Sequence, residues 1–278
     1  MLVFLNGQIL NEEEAKVSIS DLSYQLGYGL FETIRCDQGI PVFFESHYKR
    51  LTQSAKEIGM PFPVEENEVR KWICDLLVAN KLKSARARIT ISKRIGDKFN
   101  VSILTLPVDK LIPSYILLAC TLSRDPNSVS FRHKTTSRAD SFVVFKRAQE
   151  EGFNDAVYLN ERNELIECTR ANIFVVLQDK IITPLIESGI LQGVSRGKII
   201  EIAKKNNLLI EEKNVHSLYL TKATDVFVTN AIIGIMAVSK IKFEDKEYSF
   251  NLRDSKTISL KNAYDACVQE YLRKNATI

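Results

Sequence analysis

Three short stretches, in a fixed order, constrain this 278-residue chain more than any bulk property. Phe131-Arg-His-Lys-Thr-Thr-Ser-Arg138 carries Lys134, and 33 residues further on (167 − 134) Leu165-Ile-Glu-Cys-Thr-Arg-Ala-Asn-Ile-Phe174 carries Glu167. Leu191-Gln-Gly-Val-Ser-Arg196 follows. A lysine amine can form a Schiff base, a carboxylate can hold a pyridinium proton, and a glycine-led helix start can bind phosphate. No single stretch justifies a site, but their order and spacing together point to one cofactor site that the fold must assemble.

The apolar pattern around them switches between helix and strand periods. Val3-Phe-Leu-Asn-Gly-Gln-Ile-Leu10 reads as a hairpin around an Asn-Gly turn. Phe44, Tyr48, Leu51, Ala55 and Ile58 recur at three- and four-residue steps, which predicts an amphipathic helix closed before Pro61, with Arg50 off the apolar stripe. Val69, Trp72, Ile73, Leu76 and Leu77 mark a second helix, and residues 86–92 and 115–120 are strand-like. Residues 122–128, with Pro126 among small polar residues, form the clearest linker. Beyond it, 139–151 reads as a helix ending near Gly152, 156–159 as a strand, and 160–163 as a turn into the strand of Glu167. Residues 172–177 and 180–183 read as a hairpin, 194–207 as a helix and 224–230 as a strand. No repeat, heptad or low-complexity tract interrupts this order.

Composition narrows the chemistry. With 45% hydrophobic and 26% charged residues, the chain has material for one large core or two modest ones. The net charge of +4 arises from 38 basic and 34 acidic side chains dispersed along the chain, which argues against nucleic acid or membrane surfaces as partners. Cys36, Cys74, Cys120, Cys168 and Cys267 are odd in number and hold no CxxC pair, and His47, His133 and His216 are scattered. That pattern fits a reducing cytoplasm and offers no metal site. The N-terminus lacks a basic stretch ahead of a long apolar run, so no signal peptide or membrane span is expected.

Lys134 is flanked by Thr135, Thr136 and Ser137 and is placed for a covalent imine if burial or nearby positive charge lowers its pKa. Glu167 lies among Ile166, Ile173, Phe174 and Val175, where a carboxylate is costly to bury without a cationic partner. A pyridinium nitrogen is such a partner, while the alternative is a glutamate on the outer face of an alternating strand. The Val194 and Ser195 amides at a helix start form a generic anion site, and Arg50 can clamp the same phosphate.

These blocks resemble the class IV aminotransferase family, the fold-type IV pyridoxal-phosphate enzymes that include branched-chain and D-amino-acid aminotransferases and aminodeoxychorismate lyase. The likeness begins at Asp21-Leu-Ser-Tyr-Gln-Leu-Gly-Tyr-Gly-Leu-Phe-Glu-Thr-Ile-Arg35, runs through His47-Tyr-Lys-Arg-Leu-Thr-Gln-Ser-Ala-Lys56 and the three stretches above, and ends at Val228-Thr-Asn-Ala-Ile-Ile-Gly-Ile-Met-Ala-Val238. It implies an α/β, two-domain fold with a smaller N-terminal α+β domain (1–121), a linker (122–128) and a larger C-terminal, β-rich cofactor domain (129–278). It also implies pyridoxal 5'-phosphate as cofactor, with Lys134 as the Schiff-base lysine and proton shuttle and Glu167 as partner of the pyridine nitrogen. Arg50, the Val194 and Ser195 amides, and Asn230 with Ala231 complete the expected cofactor contacts. Family members are usually homodimers, with residues near Tyr28 and Phe31 reaching toward the partner's site.

Within the family, Asn230-Ala-Ile-Ile233 is similar to the Asn-Ala-Leu turn of the lyases rather than the Gly-Thr-Ala-Ala turn of branched-chain enzymes, and the branched-chain Tyr-x-Arg-Pro signature is absent from 86–92. Tyr28, Arg138 and Gly234 depart from the usual residues at their positions. The resemblance therefore implies a lyase taking 4-amino-4-deoxychorismate to p-aminobenzoate and pyruvate, with Thr33 positioning the leaving group. Tyr28, Phe31, Lys93, Arg94 and Arg138 are the expected substrate contacts. The alternative is an aminotransferase acting on branched-chain or D-amino acids through the same lysine; a degenerate scaffold protein is the non-enzymatic reading, against which the intact lysine, glutamate and phosphate turn speak.

Overall fold

A computed structural model describes residues 1–60, 62–94, 96, 98–108, 112–122, 125–251 and 256–276. The chain divides into two compact units, one of Met1–Lys110, His133–Arg138 and Val268–Ile278, the other of Leu111–Arg132 and Ala139–Cys267.

In the first unit, β1 (Leu2–Leu5) and β2 (Gln8–Asn11) form the expected hairpin, with Asn6 and Gly7 at positive φ as a two-residue primed turn requires. Then come α1 (Leu22–Leu26), β3 (Gly29–Asp37), β4 (Ile40–Pro41), α2 (Phe44–Glu57), α3 (Glu66–Ala79), β5 (Ala85–Lys93) and β6 (Phe99–Leu106). The sheet order is β2-β1-β6-β5-β3-β4. Alternation in β5 sends Ala85, Ala87, Ile89 and Ile91 into the core and leaves Arg86, Arg88 and Thr90 on the opposite face. Phe44 and Leu51 of α2 and Ile73, Leu76 and Leu77 of α3 close that core. β3 follows the same rule with one exception. Leu30, Ile34 and Cys36 enter the core, and Glu32, which shares their face, enters with them.

The second unit contains β7 (Tyr115–Thr121), α4 (Val129–Arg132), α5 (Ala139–Glu150), β8 (Asp155–Leu159), β9 (Glu164–Cys168), β10 (Asn172–Leu177), β11 (Lys180–Thr183), α6 (Val194–Lys205), β12 (Leu209–Glu212), β13 (Val215–His216), β14 (Asp225–Asn230), β15 (Gly234–Phe243) and β16 (Lys246–Ser249). The last helix, α7 (Lys256–Asn275), begins here, and its turns from Val268 onward belong to the first unit. Among the described residues the sheet runs β12-β11-β10-β14-β15-β7-β8-β9-β13, with β16 on β15. One core holds Leu117, Val157, Leu165, Ile173, Val175, Val226, Val228 and Val238. Phe174 and Phe227 stack at 4.7 Å between ring centroids.

The expected linker at 122–128 falls inside the second of these units. β7 pairs in parallel with both β8 and β15, so the strand before the linker belongs to the second sheet. Of the linker itself, Ser123 and Arg124 lie outside the described residues. Pro126 is anchored within the second unit, so close to Gly189 that a Cβ there would lie 2.6 Å from the Pro126 Cα. Among the described residues no helix is long and apolar enough to cross a membrane.

Candidate active site

Lys134 is set in place by its backbone. The Phe31 amide donates to the Lys134 carbonyl and the Thr136 amide to the Gly29 carbonyl, both at 2.8 Å, so residues 134–136 run antiparallel along the edge of β3. Thr136 Oγ1 donates to the Gly27 carbonyl at 2.8 Å. Held this way, the Lys134 ammonium nitrogen lies 4.6 Å from the centre of the Phe31 ring. Burial, followed by the charge of Arg50, pushes its pKa down to about 7; Arg138 and Arg88 act in the same direction and Glu32 opposes them. An amine near neutrality in pKa is a nucleophile and a base at physiological pH.

Glu32 is the residue that sequence reasoning overlooks. It is 1% exposed, on the core face of β3, where an unpaired carboxylate would be prohibitive. The His47 Nδ1 bonds its Oε2 at 2.7 Å, while Arg50 donates from Nε to Oε1 and from Nη2 to Oε2, each at 2.7 Å. Burial pushes the Glu32 pKa up, but Arg50 and His47 overcome it and hold the carboxyl at about 2. Burial pushes His47 the other way, downward, so the neutral ring donates its Nδ1 proton. His47 and Arg50 are three residues apart on α2, hence neighbours on its surface. The buried face of α2 includes His47 as well as Phe44 and Leu51, which places Arg50 at the margin of that face rather than away from it. An acid in a core register opposite two basic residues at helical spacing is the signal that could have found this cluster.

The same unit gathers further positive charge. The Arg88 guanidinium lies over the Phe31 ring at 3.7 Å, and burial, then Arg138 and Arg86, lower its pKa. Thr33 pairs directly with Arg88 across β3 and β5, so both side chains leave the same face. Lys93 and Arg94 lie three and four residues beyond Thr90, the register partner of Phe31, or about 10 and 14 Å along the strand. The Arg94 backbone bridges to Asp21. Tyr28 packs against the first core and donates its hydroxyl to the Ile58 carbonyl. Phe31 stands beside Lys134 of its own chain.

The second unit brings together a different set. Glu167 is 6% exposed in β9, and its Oε2 accepts from the Leu191 amide at 3.0 Å and from Asn172 Nδ2 at 3.4 Å. Asn172 Nδ2 also donates to the Leu191 carbonyl at 2.9 Å, which ties the glutamate to the loop leading into α6. Gly193 is the N-cap of that helix and supplies no side-chain cap, so the first-turn amides of Val194 and Ser195 have no partner within the helix. A Cβ on Gly193 would fall 2.1 Å from Asn172 Oδ1. The Ser195 hydroxyl meets the Tyr264 hydroxyl at 3.0 Å, and the Tyr264 ring lies under Gly234, where a Cβ would approach it to 3.1 Å. Gly234 has φ +62°, so its departure from the family pattern has a steric reason.

Thr229, opposite Asn172 in the pairing of β14 with β10, is 1% exposed, and its hydroxyl has no hydrogen-bond partner among the described residues. Asn230 follows. Its Oδ1 accepts from the Ile232 and Ile233 amides at 2.9 and 3.0 Å, and its Nδ2 donates to the Arg170 carbonyl at 3.1 Å. Ala231 lies half-buried in the turn that Asn230 closes.

The model of the amino-transferase class IV family matches residues 29–241, a span that holds Glu32, His47, Arg50, Lys134, Glu167, Gly193 and Asn230. The chain belongs to that family. Among its class IV relatives, aminodeoxychorismate lyase of Bacillus subtilis is 27% identical over 87% of this chain and 88% of its own length. D-alanine aminotransferase of Bacillus licheniformis is 26% identical, with the same coverage. A crystal structure of the branched-chain aminotransferase from Thermoproteus uzoniensis superposes with a TM-score of 0.87 at 25% identity, covering 98% of this chain and 97% of that one.

As a class IV member the protein is a pyridoxal 5'-phosphate enzyme. Its residues fit the group. The first unit offers an amine shifted toward neutrality, and the second a buried carboxylate, an uncapped helix start that tolerates no Cβ, and an orphaned buried hydroxyl at Thr229.

Proposed function

We propose that this class IV enzyme is a lyase that converts 4-amino-4-deoxychorismate to p-aminobenzoate and pyruvate. The observation that carries this reading is the excess of positive charge around Lys134. Arg50, Arg138 and Arg88 act on the amine in opposition to Glu32, and Arg138 and Arg86 act on Arg88. A substrate with two carboxylates answers that excess better than an amino acid with one. The likeness to the Bacillus subtilis lyase is matched by the likeness to the aminotransferases, so the charge around Lys134 carries the choice.

In this reading Glu167 keeps a proton on the pyridine nitrogen, and Arg50 with the Val194 and Ser195 amides holds the phosphate. Asn230 and Ala231 border the cofactor from their turn. When bound, the cofactor supplies an electron sink for the carbon that bears the substrate amine. Lys134 Nζ, uncharged above pH about 7, takes the proton from that ring carbon. The carbon–oxygen bond on the neighbouring ring carbon then breaks, the ring becomes aromatic, and the departing enolpyruvate tautomerises to pyruvate. Thr33 steadies the leaving group, while Arg138 and Arg88 meet the carboxylates.

The test is to supply 4-amino-4-deoxychorismate to the cofactor-loaded protein and to Lys134→Ala, and to follow p-aminobenzoate and pyruvate. Wild type should release both in equal amounts, and the variant should be slower by at least about 10³-fold. A loaded wild type that releases neither product overturns the lyase reading. The equal likeness to D-alanine aminotransferase then favours amino transfer from branched-chain or D-amino acids through the same lysine.

A further inference from the structure

Lys134 is fastened on both sides, and the fastening ahead of it comes from a side chain with no part in the reaction itself. After the lysine, the Thr136 amide and hydroxyl donate to the Gly29 and Gly27 carbonyls, each at 2.8 Å. Before it stands His133, whose Nδ1 meets the Ser54 hydroxyl at 3.1 Å and whose Nε2 lies 3.6 Å from Glu57 Oε2. The His133 side chain is 12% exposed and Ser54 is 7% exposed, so water competes little for the bond between them.

The pairing along β3 explains why this histidine faces α2. Thr135 lies opposite Leu30 and so shares the core face of β3 with Leu30 and Glu32. Two residues earlier, His133 falls on that face as well, while Lys134 falls on the other, beside Phe31. One stripe of α2 therefore meets both segments. His47 and Arg50 bond Glu32, and one and two turns further along the helix Ser54 and Glu57 meet His133. Thr135 adds nothing through its side chain, because its buried hydroxyl has no hydrogen-bond partner among the described residues. All of these groups lie in the first unit.

We propose that His133 is a positioning residue: by tying the backbone just ahead of Lys134 to Ser54 and Glu57 of α2, it holds the amine in the buried place where it reacts. The inference rests on Lys134 as the reactive amine and deepens that reading, whichever reaction the amine serves. A lysine has a flexible four-carbon stem, so a backbone released on one side lets the nitrogen swing out to water. Burial is the first cause that lowers the Lys134 pKa, ahead of the charges of Arg50, Arg138 and Arg88, with Glu32 opposing them. Release into water removes that first cause, so the amine should return toward the ordinary lysine range.

The experiment labels the full-length apoprotein with acetic anhydride across a pH series and reads acetylation of Lys134 by mass spectrometry, alongside the rate at which the same protein takes up pyridoxal phosphate. His133→Ala should raise the Lys134 midpoint by about one unit and slow cofactor uptake at pH 6 about tenfold. Ser54→Ala keeps the histidine and removes its partner, so the midpoint should move the same way, and this variant carries the test if His133→Ala does not fold. His133→Asn retains a polar atom near the Nδ1 position and should restore most of the wild-type value. Ile73→Val, deep in the core of the same unit, should lower Tm and leave the midpoint in place, which separates positioning from loss of stability.

A Lys134 midpoint that stays at the wild-type value in His133→Ala or in Ser54→Ala, or that moves as far in Ile73→Val, overturns the proposal. Failure of the lyase reading is separate, because the labelling needs no substrate: a wild type that releases no p-aminobenzoate and still shows the two shifts leaves His133 in its role. A wild-type Lys134 that titrates with the surface lysines overturns both the reactive amine and its positioning.

Discussion

The unit that carries Lys134 works with side-chain charge, and the unit that carries Glu167 works with backbone amides. Around Lys134 stand Arg50, Arg138, Arg88 and Glu32, every one an ionised side chain. Around Glu167 stand the Leu191 amide and Asn172, followed by the first turn of α6. The contrast teaches where each function is vulnerable. Charge tunes a proton and can be altered by pH or by one neutralising substitution. Amides recognise anions without titrating, and they fail when a Cβ displaces the backbone that aims them.

The largest stability effect should come from the charged unit. Glu32→Ala leaves Arg50 and His47 without their shared acceptor and should destabilise the protein by about 3–5 kcal/mol, measured by denaturant unfolding, whereas Glu32→Gln should lose less. Because the Glu32 pKa is depressed, its contribution is complete above the unfolded carboxyl range near 4.3 and is lost as pH falls toward about 2. A wild-type stability that does not fall in acid relative to Glu32→Gln would contradict this.

In the amide unit, Gly193→Ala meets Asn172 Oδ1 at 2.1 Å and should cost about 1–3 kcal/mol while weakening pyridoxal phosphate far more than pyridoxal. Equal weakening of both would mean that the α6 start does not hold the phosphate. Gly234→Ala, at φ +62° and 3.1 Å from the Tyr264 ring, should cost about 1–2 kcal/mol in the same assay.

The smallest effect sharpens the contrast most. Uptake of cofactor by the apoprotein should rise with pH through about 7 as Lys134 loses its proton. Arg88→Gln removes one cation that depresses this pKa and should move the midpoint upward, by about half a unit at the distances of partly exposed charges. Glu32→Gln should move it downward. Gly234→Ala should leave it in place, and a midpoint that shifts there would erase the distinction between the two units. Lys134 also destabilises the fold below its folded pKa, a penalty relieved as pH rises from about 7 toward the unfolded lysine value, so Lys134→Met should raise Tm more at pH 6 than at pH 10.

Much of the architecture was legible because it rests on local rules. The Asn6-Gly7 hairpin, the α2 and α3 periodicity and the hairpin of β10 with β11 all appear where their residues place them. Which sheet the strand before 122–128 joins was not legible. Proline and small polar residues mark a loop, but they carry no information about which sheet the preceding strand joins, and β7 joins the second. The C-terminal helix α7 was overlooked, although Leu260, Tyr264, Val268 and Leu272 recur every four residues and are buried.

Sequence by itself determined the reactive inventory: Lys134 among Thr135, Thr136 and Ser137, Glu167 in an apolar strand, and a glycine at the start of α6, because each depends on residue type and local pattern. Tertiary structure alone decided how those groups behave. Glu32 becomes the clamp of Arg50 and a neighbour of Lys134 only once β3 packs on α2 and residues 134–136 dock along the β3 edge. Asn172 ties Glu167 to the loop before α6 only once β9 and β10 bring them to Leu191. A side chain's charge, and whether it offers or occupies an anion site, are set by which distant segments surround it, and that is a property of packing rather than of residue order.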